Sequence, residues 1–180
     1  EKLFLEGLTV LGEQGYSFDA WLYFDQIDEL IDLALACPDI PIILNHLGAP
    51  LAIGRWKTKN SEVEEKWKDQ LTKLSKSSNV YLKIGGIGMD NYFNTGWSSL
   101  KVPPSSERVA NYWKDKITWV IDTFSPDRCM FESNFPVDKL SCSYVNLWNS
   151  FKKMTAHYSK RERSYRICWS ALDIVIIYVE

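Results

Sequence analysis

The segment Pro41–Pro50, PIILNHLGAP, decides how this chain folds. A short, unbroken apolar run, Pro41 to Leu44, meets an Asn45–His46 pair and then a Leu47–Gly48 break. A run of that length with no polar alternation is the pattern of a strand covered on both faces, as in a parallel sheet. His46, one of only two histidines, therefore falls where such a strand ends. Two roles are open to it. It can be a core ring held by a hydrogen bond. It can also be a working group at the mouth of a site, binding a metal, polarising a carbonyl or moving a proton.

Outward from that strand, the pattern alternates. Before it, residues 2–14 place Leu3, Leu8 and Leu11 near helical spacing, with Gly15 as the stop. YSFDAWLYF (16–24) sets Phe18, Ala20 and Leu22 against Asp19, Trp21 and Tyr23, a strand signal. Asp25 can cap a helix whose Ile27, Leu30, Ile31 and Ala34 share a face, ended by Pro38. After it, Ser61 and Glu64 stand at capping-box spacing before a stripe of Val63, Trp67, Leu71 and Leu74. NVYLKIGG (79–86) is the next strand, and a long loop over 85–104 follows. Ser105 can open a helix lined by Val109, Trp113, Ile117, Val120 and Phe124. RCMFES (128–133) is a fourth strand, followed by a helix with Tyr144, Leu147, Trp148, Phe151 and Met154 on one side. One helix and then four rounds of strand and helix predict an α/β fold with a parallel sheet, either doubly wound or a (β/α)8 barrel or part of one. In both, chemistry gathers beyond the C-terminal ends of the strands.

Composition narrows the classes. The chain has 180 residues, 46% hydrophobic and 24% charged, with a net charge of −2. That is globular composition without the basic footprint of a nucleic-acid binder. The longest apolar run, IVIIYV near the end, falls far short of the roughly 20 residues of a membrane helix. Cys37, Cys129, Cys142 and Cys168 form no C-x-x-C and read as reduced thiols of a cytoplasmic protein. No signal peptide opens the chain, and a start at Glu1 reads as a fragment of a longer gene product.

Each strand end offers candidates. Trp21, Tyr23 and Asp25 follow the first, where aromatic rings can wall a pocket or pack under a loop. His46 follows the second. Lys83 and GGIGMD follow the third. Gly86 and Gly88 invite a dinucleotide reading, but Asn91 stands where G-x-G-x-x-G needs a small residue, and no helix begins there. These glycines fit a tight turn beside a ligand or another loop instead. Glu132, Ser133, Asn134 and Asp138 follow the fourth, where an acid can serve as general base or as a helix cap. His157, in a lysine-rich stretch, reads as a solvated helix-end residue.

Three blocks carry a family resemblance: Ser17–Leu51, which holds LNHLG; PPSSE at 103–107; and Asp127–Met154, which holds RCMFESNFPVD. Together they resemble the amidohydrolase-related family of TIM-barrel hydrolases, in its sugar-lactonase-like and dicarboxylate-lactonase-like branch, up to about Arg163. The resemblance implies a (β/α)8 barrel of roughly 250 residues or more. Residues 1–180 would then be a single partial domain, about four βα units from the C-terminal half. The strand-one H-x-H motif that supplies two metal ligands in metal-dependent members cannot occur here, because His46 and His157 are the only histidines. By position, His46 matches the strand-six histidine, a metal ligand or carbonyl-polarising group in relatives. Asn134 falls where many members carry the aspartate that activates water, although the asparagine version also occurs in this branch. Asp138 is a substitute acid four residues on. The tail YRICWSALDIVIIYVE (165–180) departs from the usual final helix, as a frameshifted or altered terminus would.

The resemblance implies a hydrolase that opens a lactone or related carbonyl compound by water attack. His46 would polarise the carbonyl, alone or through a divalent metal such as Zn or Mn, and Asn134 would orient carbonyl or water. Asp138 would accept the proton, while Trp21, Tyr23, Lys83 and Met89 shape the pocket. The partner would be a small-molecule substrate, without nucleic acid or membrane, and a homodimer is open. The rival expectation is an inactive half barrel whose two open sheet edges self-associate or bind a partner.

Overall fold

The computed structural model describes residues 2–159, so Cys168 and the 165–180 tail lie outside the described residues. Four strands, β1 (Phe18–Ala20), β2 (Ile42–Leu44), β3 (Val80–Ile84) and β4 (Cys129–Phe131), form one sheet in the order β1-β2-β3-β4. Every neighbouring pair is parallel. Helices α1 (Lys2–Glu13), α2 (Ile27–Ala36), α3 (Asn60–Leu74), α4 (Ser106–Phe124) and α5 (Tyr144–Met154) precede, connect and follow the strands. A doubly wound sheet reverses its strand order at a switch point, whereas a barrel adds strands in sequence. The uninterrupted order settles the two expectations in favour of consecutive barrel strands.

Register divides the sheet into two faces. Phe18, Ala20, Ile42, Leu44, Val80, Leu82, Ile84, Cys129 and Phe131 point into the core shared with the helices. The stripes of α2, α3, α4 and α5 close over them, and burying each large aliphatic side chain stabilises the fold by roughly 1.5–3 kcal/mol. Asp19, Ile43, Tyr81, Lys83 and Met130 alternate with these and occupy the other, inner face.

Three local expectations are corrected. The first strand ends at Ala20 rather than running through YSFDAWLYF, and Asp19 is buried because its carboxylate pairs with Lys83 across β2. Asp25 does not cap α2; it accepts a 2.6 Å hydrogen bond from Arg55. Ser61 and Glu64 form no capping box, because α3 already begins at Asn60, whose amide donates to the Phe93 carbonyl. Ser105 does cap α4, accepting from the Arg108 N–H. Cys37, Cys129 and Cys142 are buried free thiols, and burial pushes those of Cys129 and Cys142 up to about 12. No helix among the described residues is long and apolar enough to cross a membrane.

Candidate active site

The site gathers where β2, β3 and β4 end. His46 opens a single 3-10 turn, His46–Gly48, directly after β2. Its backbone stands at φ +51, a region L-residues rarely adopt. Trp67 pins the turn, donating from Nε1 to the Leu47 carbonyl at 2.6 Å. The sequence dictates this turn: Gly48, at φ +67, packs where a Cβ would stand 3.0 Å from Ile27 and 3.3 Å from Leu44.

The His46 ring is held by Glu132, the residue after β4. Nδ1 donates to Glu132 Oε1, and the His46 backbone N–H donates to the same oxygen at 3.3 Å. The side chains are 17% and 16% exposed, so the pair is sheltered yet reachable. A carboxylate on Nδ1 fixes the tautomer and leaves Nε2 with a lone pair.

Between β2 and β4 lies the end of β3, and a glycine there makes the contact possible. A Cβ on Gly85 would overlap the Glu132 side chain, 2.7 Å from its Oε1 and 2.8 Å from its Cδ. Gly86, at φ +70, turns the chain where a Cβ would meet Met89 Cε at 2.7 Å, Tyr92 at 3.0 Å and His46 Cβ at 3.2 Å. The glycines that fail as a dinucleotide fingerprint are close approaches around a site.

Asp138 and Asn134 form the second half of the cluster. Asp138 lies fully buried in the 3-10 turn Val137–Leu140. Its Oδ2 accepts the Gly88 N–H at 2.9 Å, and its Oδ1 accepts Asn134 Nδ2 at 2.8 Å. Burial raises its carboxyl from 3.8 to about 6, against the opposing pull of Gly88, Asn134 and His46. Asn134 stands at φ +50, so two of the sequence candidates, His46 and Asn134, share the left-handed conformation.

The remaining candidates divide. Met89 sits against the Gly86 turn. Trp21 and Tyr23 are exposed beyond β1, packed edge to face with ring centroids 5.3 Å apart. Lys83 lies on the inner face, 6% exposed, with Nζ donating to Asp19 Oδ1 at 2.6 Å. His157 is exposed and packs on Tyr158. The sequence offers Glu132 as one of the strand-end acids able to act as a base, but gives no sign that it pairs with His46. Sequence reasoning missed Tyr92, which is 1% exposed and close enough to Glu132 and Asp138 to feel their charges. Among the described residues, no three His, Cys, Asp or Glu side chains are grouped to hold a metal ion.

Comparisons with known proteins agree with the fold that carries this site. A family model described as amidohydrolase matches residues 1–164. The uncharacterized protein y4mH of Sinorhizobium fredii (strain NBRC 101917 / NGR234) is 38% identical over 159 residues, which cover 88% of this chain and 46% of that protein. An amidohydrolase from Burkholderia multivorans, solved with bound zinc, matches with a TM-score of 0.74 at 21% identity, over 89% of this chain and 52% of that one. A Pseudomonas putida protein assigned as a 2-pyrone-4,6-dicarboxylic acid hydrolase matches with a TM-score of 0.57 at 18% identity, over 85% of this chain and 49% of that one. The solved structures carry the fold, a (β/α)8 barrel of which four consecutive strands are described here. The chain spans about half the length of the relatives it matches. With the family model running from residue 1 to residue 164, this chain belongs to the amidohydrolase family.

Proposed function

We propose that this chain supplies part of the active site of a hydrolase that opens a lactone, or cleaves a related carbonyl compound, by attack of water. The observation that carries this reading is the His46–Glu132 pair at the strand ends, reached across Gly85. With Nδ1–H committed to the Glu132 carboxylate, His46 Nε2 takes a proton from water as the water oxygen bonds to the carbonyl carbon. Glu132 stabilises the imidazolium so formed. Collapse of the tetrahedral oxyanion breaks the ring C–O bond, and the imidazolium returns its proton to the departing oxygen. The product is a hydroxy acid.

In this reading His46 and Glu132, rather than Asp138, carry the proton, because both Asp138 oxygens already accept hydrogen bonds. Asp138 instead fixes the amide of Asn134, whose Oδ1 is left to orient water. Met89, Trp21 and Tyr23 shape the pocket. The cyclic-ester substrate class draws on the Pseudomonas relative, since a 2-pyrone is a lactone.

The Burkholderia relative binds zinc. A catalytic zinc usually takes three protein ligands. In this chain Nε2 of His46 could supply one, but the described residues bring no such group together. They do not by themselves fit a metal ion.

The test is hydrolysis of a panel of sugar and dicarboxylate lactones, with and without Zn²⁺ or Mn²⁺, by the gene product that carries this chain. Hydrolysis is expected, with His46→Ala slower by about 10²–10⁴-fold and still folded. A wild type silent on every lactone, or a His46→Ala variant at the wild-type rate, would overturn the reading.

A further inference from the structure

We propose that the hydroxyl of Tyr92 is a catalytic hydrogen-bond donor, placed to bind the substrate's carbonyl oxygen and the oxyanion that forms on it. The inference rests on the hydrolase reading above and adds a residue that neither sequence pattern nor relatives assign.

Tyr92 Oη is buried and its O–H finds no acceptor among the described residues, while the Trp21 indole N–H lies near enough to donate to its oxygen. A buried hydroxyl without a partner is costly and uncommon in folded proteins. The rest of the residue is firmly placed. Its backbone N–H donates to the Met89 carbonyl at 3.0 Å, and Tyr92 forms an isolated antiparallel bridge with Leu51. On either side, the Ala52 N–H donates to the Asn91 carbonyl at 2.6 Å and the Phe93 N–H to Pro50 at 3.3 Å. The ring lies against the Gly86 turn, which also touches His46 and Met89. The hydroxyl is therefore held rigidly, beside the histidine, with its proton left to donate.

Its surroundings suit a donor. Burial first, and then the charges of Asp138, Glu132 and Tyr23, push its ionisation well above the ordinary tyrosine range, opposed by the nearby Trp21 side chain. The phenol keeps its proton at every pH the protein would meet. A neutral, preorganised donor in a sheltered site stabilises developing negative charge without paying for reorganisation. It also fits the division of labour at the site. His46, Glu132 and Asp138 are arranged to accept or hold protons, and an acyl transfer needs a donor on the other side of the carbonyl.

Tyr92→Phe deletes the hydroxyl alone. In the lactone assay, kcat is expected to fall by about 10²–10³-fold, the loss typical of one oxyanion donor, with KM within about threefold. The melting temperature should hold or rise, since an unpartnered polar atom leaves the core. Wild-type kcat in Tyr92→Phe alongside an inactive His46→Ala variant would overturn the Tyr92 assignment and leave the hydrolase reading standing. A lower melting temperature in Tyr92→Phe would overturn it too, because the hydroxyl would then have a structural partner. Full activity in His46→Ala, or a wild type that hydrolyses no lactone, would remove the reading and this inference together.

Discussion

The two faces of the sheet are built on opposite principles. The outer face is apolar throughout, from Phe18 and Ile42 to Leu82, Cys129 and Phe131, and it is sealed by helices. The inner face carries Asp19 and Lys83, a buried ion pair that reaches across β2. Asp19 Oδ2 and Asn45 Oδ1 are buried there without a hydrogen-bond partner among the described residues. Transfer from water drives the outer face, and its tolerance is set by volume. The inner face is stable only while each charge has its partner. The strand ends above it spend backbone strain and glycine to hold His46, Glu132, Asn134 and Asp138 together.

That contrast can be broken most severely at the ion pair. Asp19→Ala leaves the Lys83 ammonium buried alone and should cost about 3–5 kcal/mol. An Asp19→Leu, Lys83→Met double variant should recover most of it. On the outer face, Leu82→Ala should cost a comparable or smaller amount, about 2–5 kcal/mol, with no partner substitution able to restore it. Urea unfolding of the three variants beside wild type decides. Equal losses in Asp19→Ala and in the double variant would remove the distinction between the faces.

A second prediction concerns pH. The Asp138 carboxyl titrates at about 6 in the folded chain, raised from 3.8 by burial. Between those values the folded chain holds the proton that the unfolded chain releases. The stability from this group is therefore fully present below pH 3.8 and is lost as pH rises to about 6. The advantage of wild type over Asp138→Asn should shrink by an amount on the order of 3 kcal/mol between pH 4 and pH 7. A constant difference across that range would show that Asp138 is not buried in the way described.

The smallest expected change in stability is at Gly85. An added Cβ there meets the Glu132 side chain, which is flexible and can move aside. Gly85→Ala should shift stability by no more than about 1 kcal/mol while lowering lactone hydrolysis as strongly as loss of Glu132. An active Gly85→Ala variant would sever the link between that glycine and the site.

Much of this was legible in the sequence, for reasons that differ by element. β2 and the four helices after β1 announced themselves through unbroken apolar runs and helical stripes, because both are local patterns. β1 was read too long, since the aromatic residues Trp21 and Tyr23 mimic strand alternation while standing exposed beyond the strand's end. His46 and Asn134 were picked from their places at strand ends together with the family resemblance. The partner of His46 was not, because Glu132 lies 86 residues away and reaches it only through the space that Gly85 leaves. Lys83 and Asp19 carried a usable signal: two opposite charges, each inside an apolar strand, must neutralise one another. Tyr92 carried none, being one aromatic residue in a long loop without periodicity.

On the proposed mechanism the His46–Glu132 pair is the working centre. Glu132→Gln tests it most directly, because it keeps the shape and removes the charge that holds the imidazole. In the lactone assay kcat should fall by about 10²–10⁴-fold, with the melting temperature unchanged within a few degrees. A Glu132→Gln variant that turns over at the wild-type rate would contradict the claim.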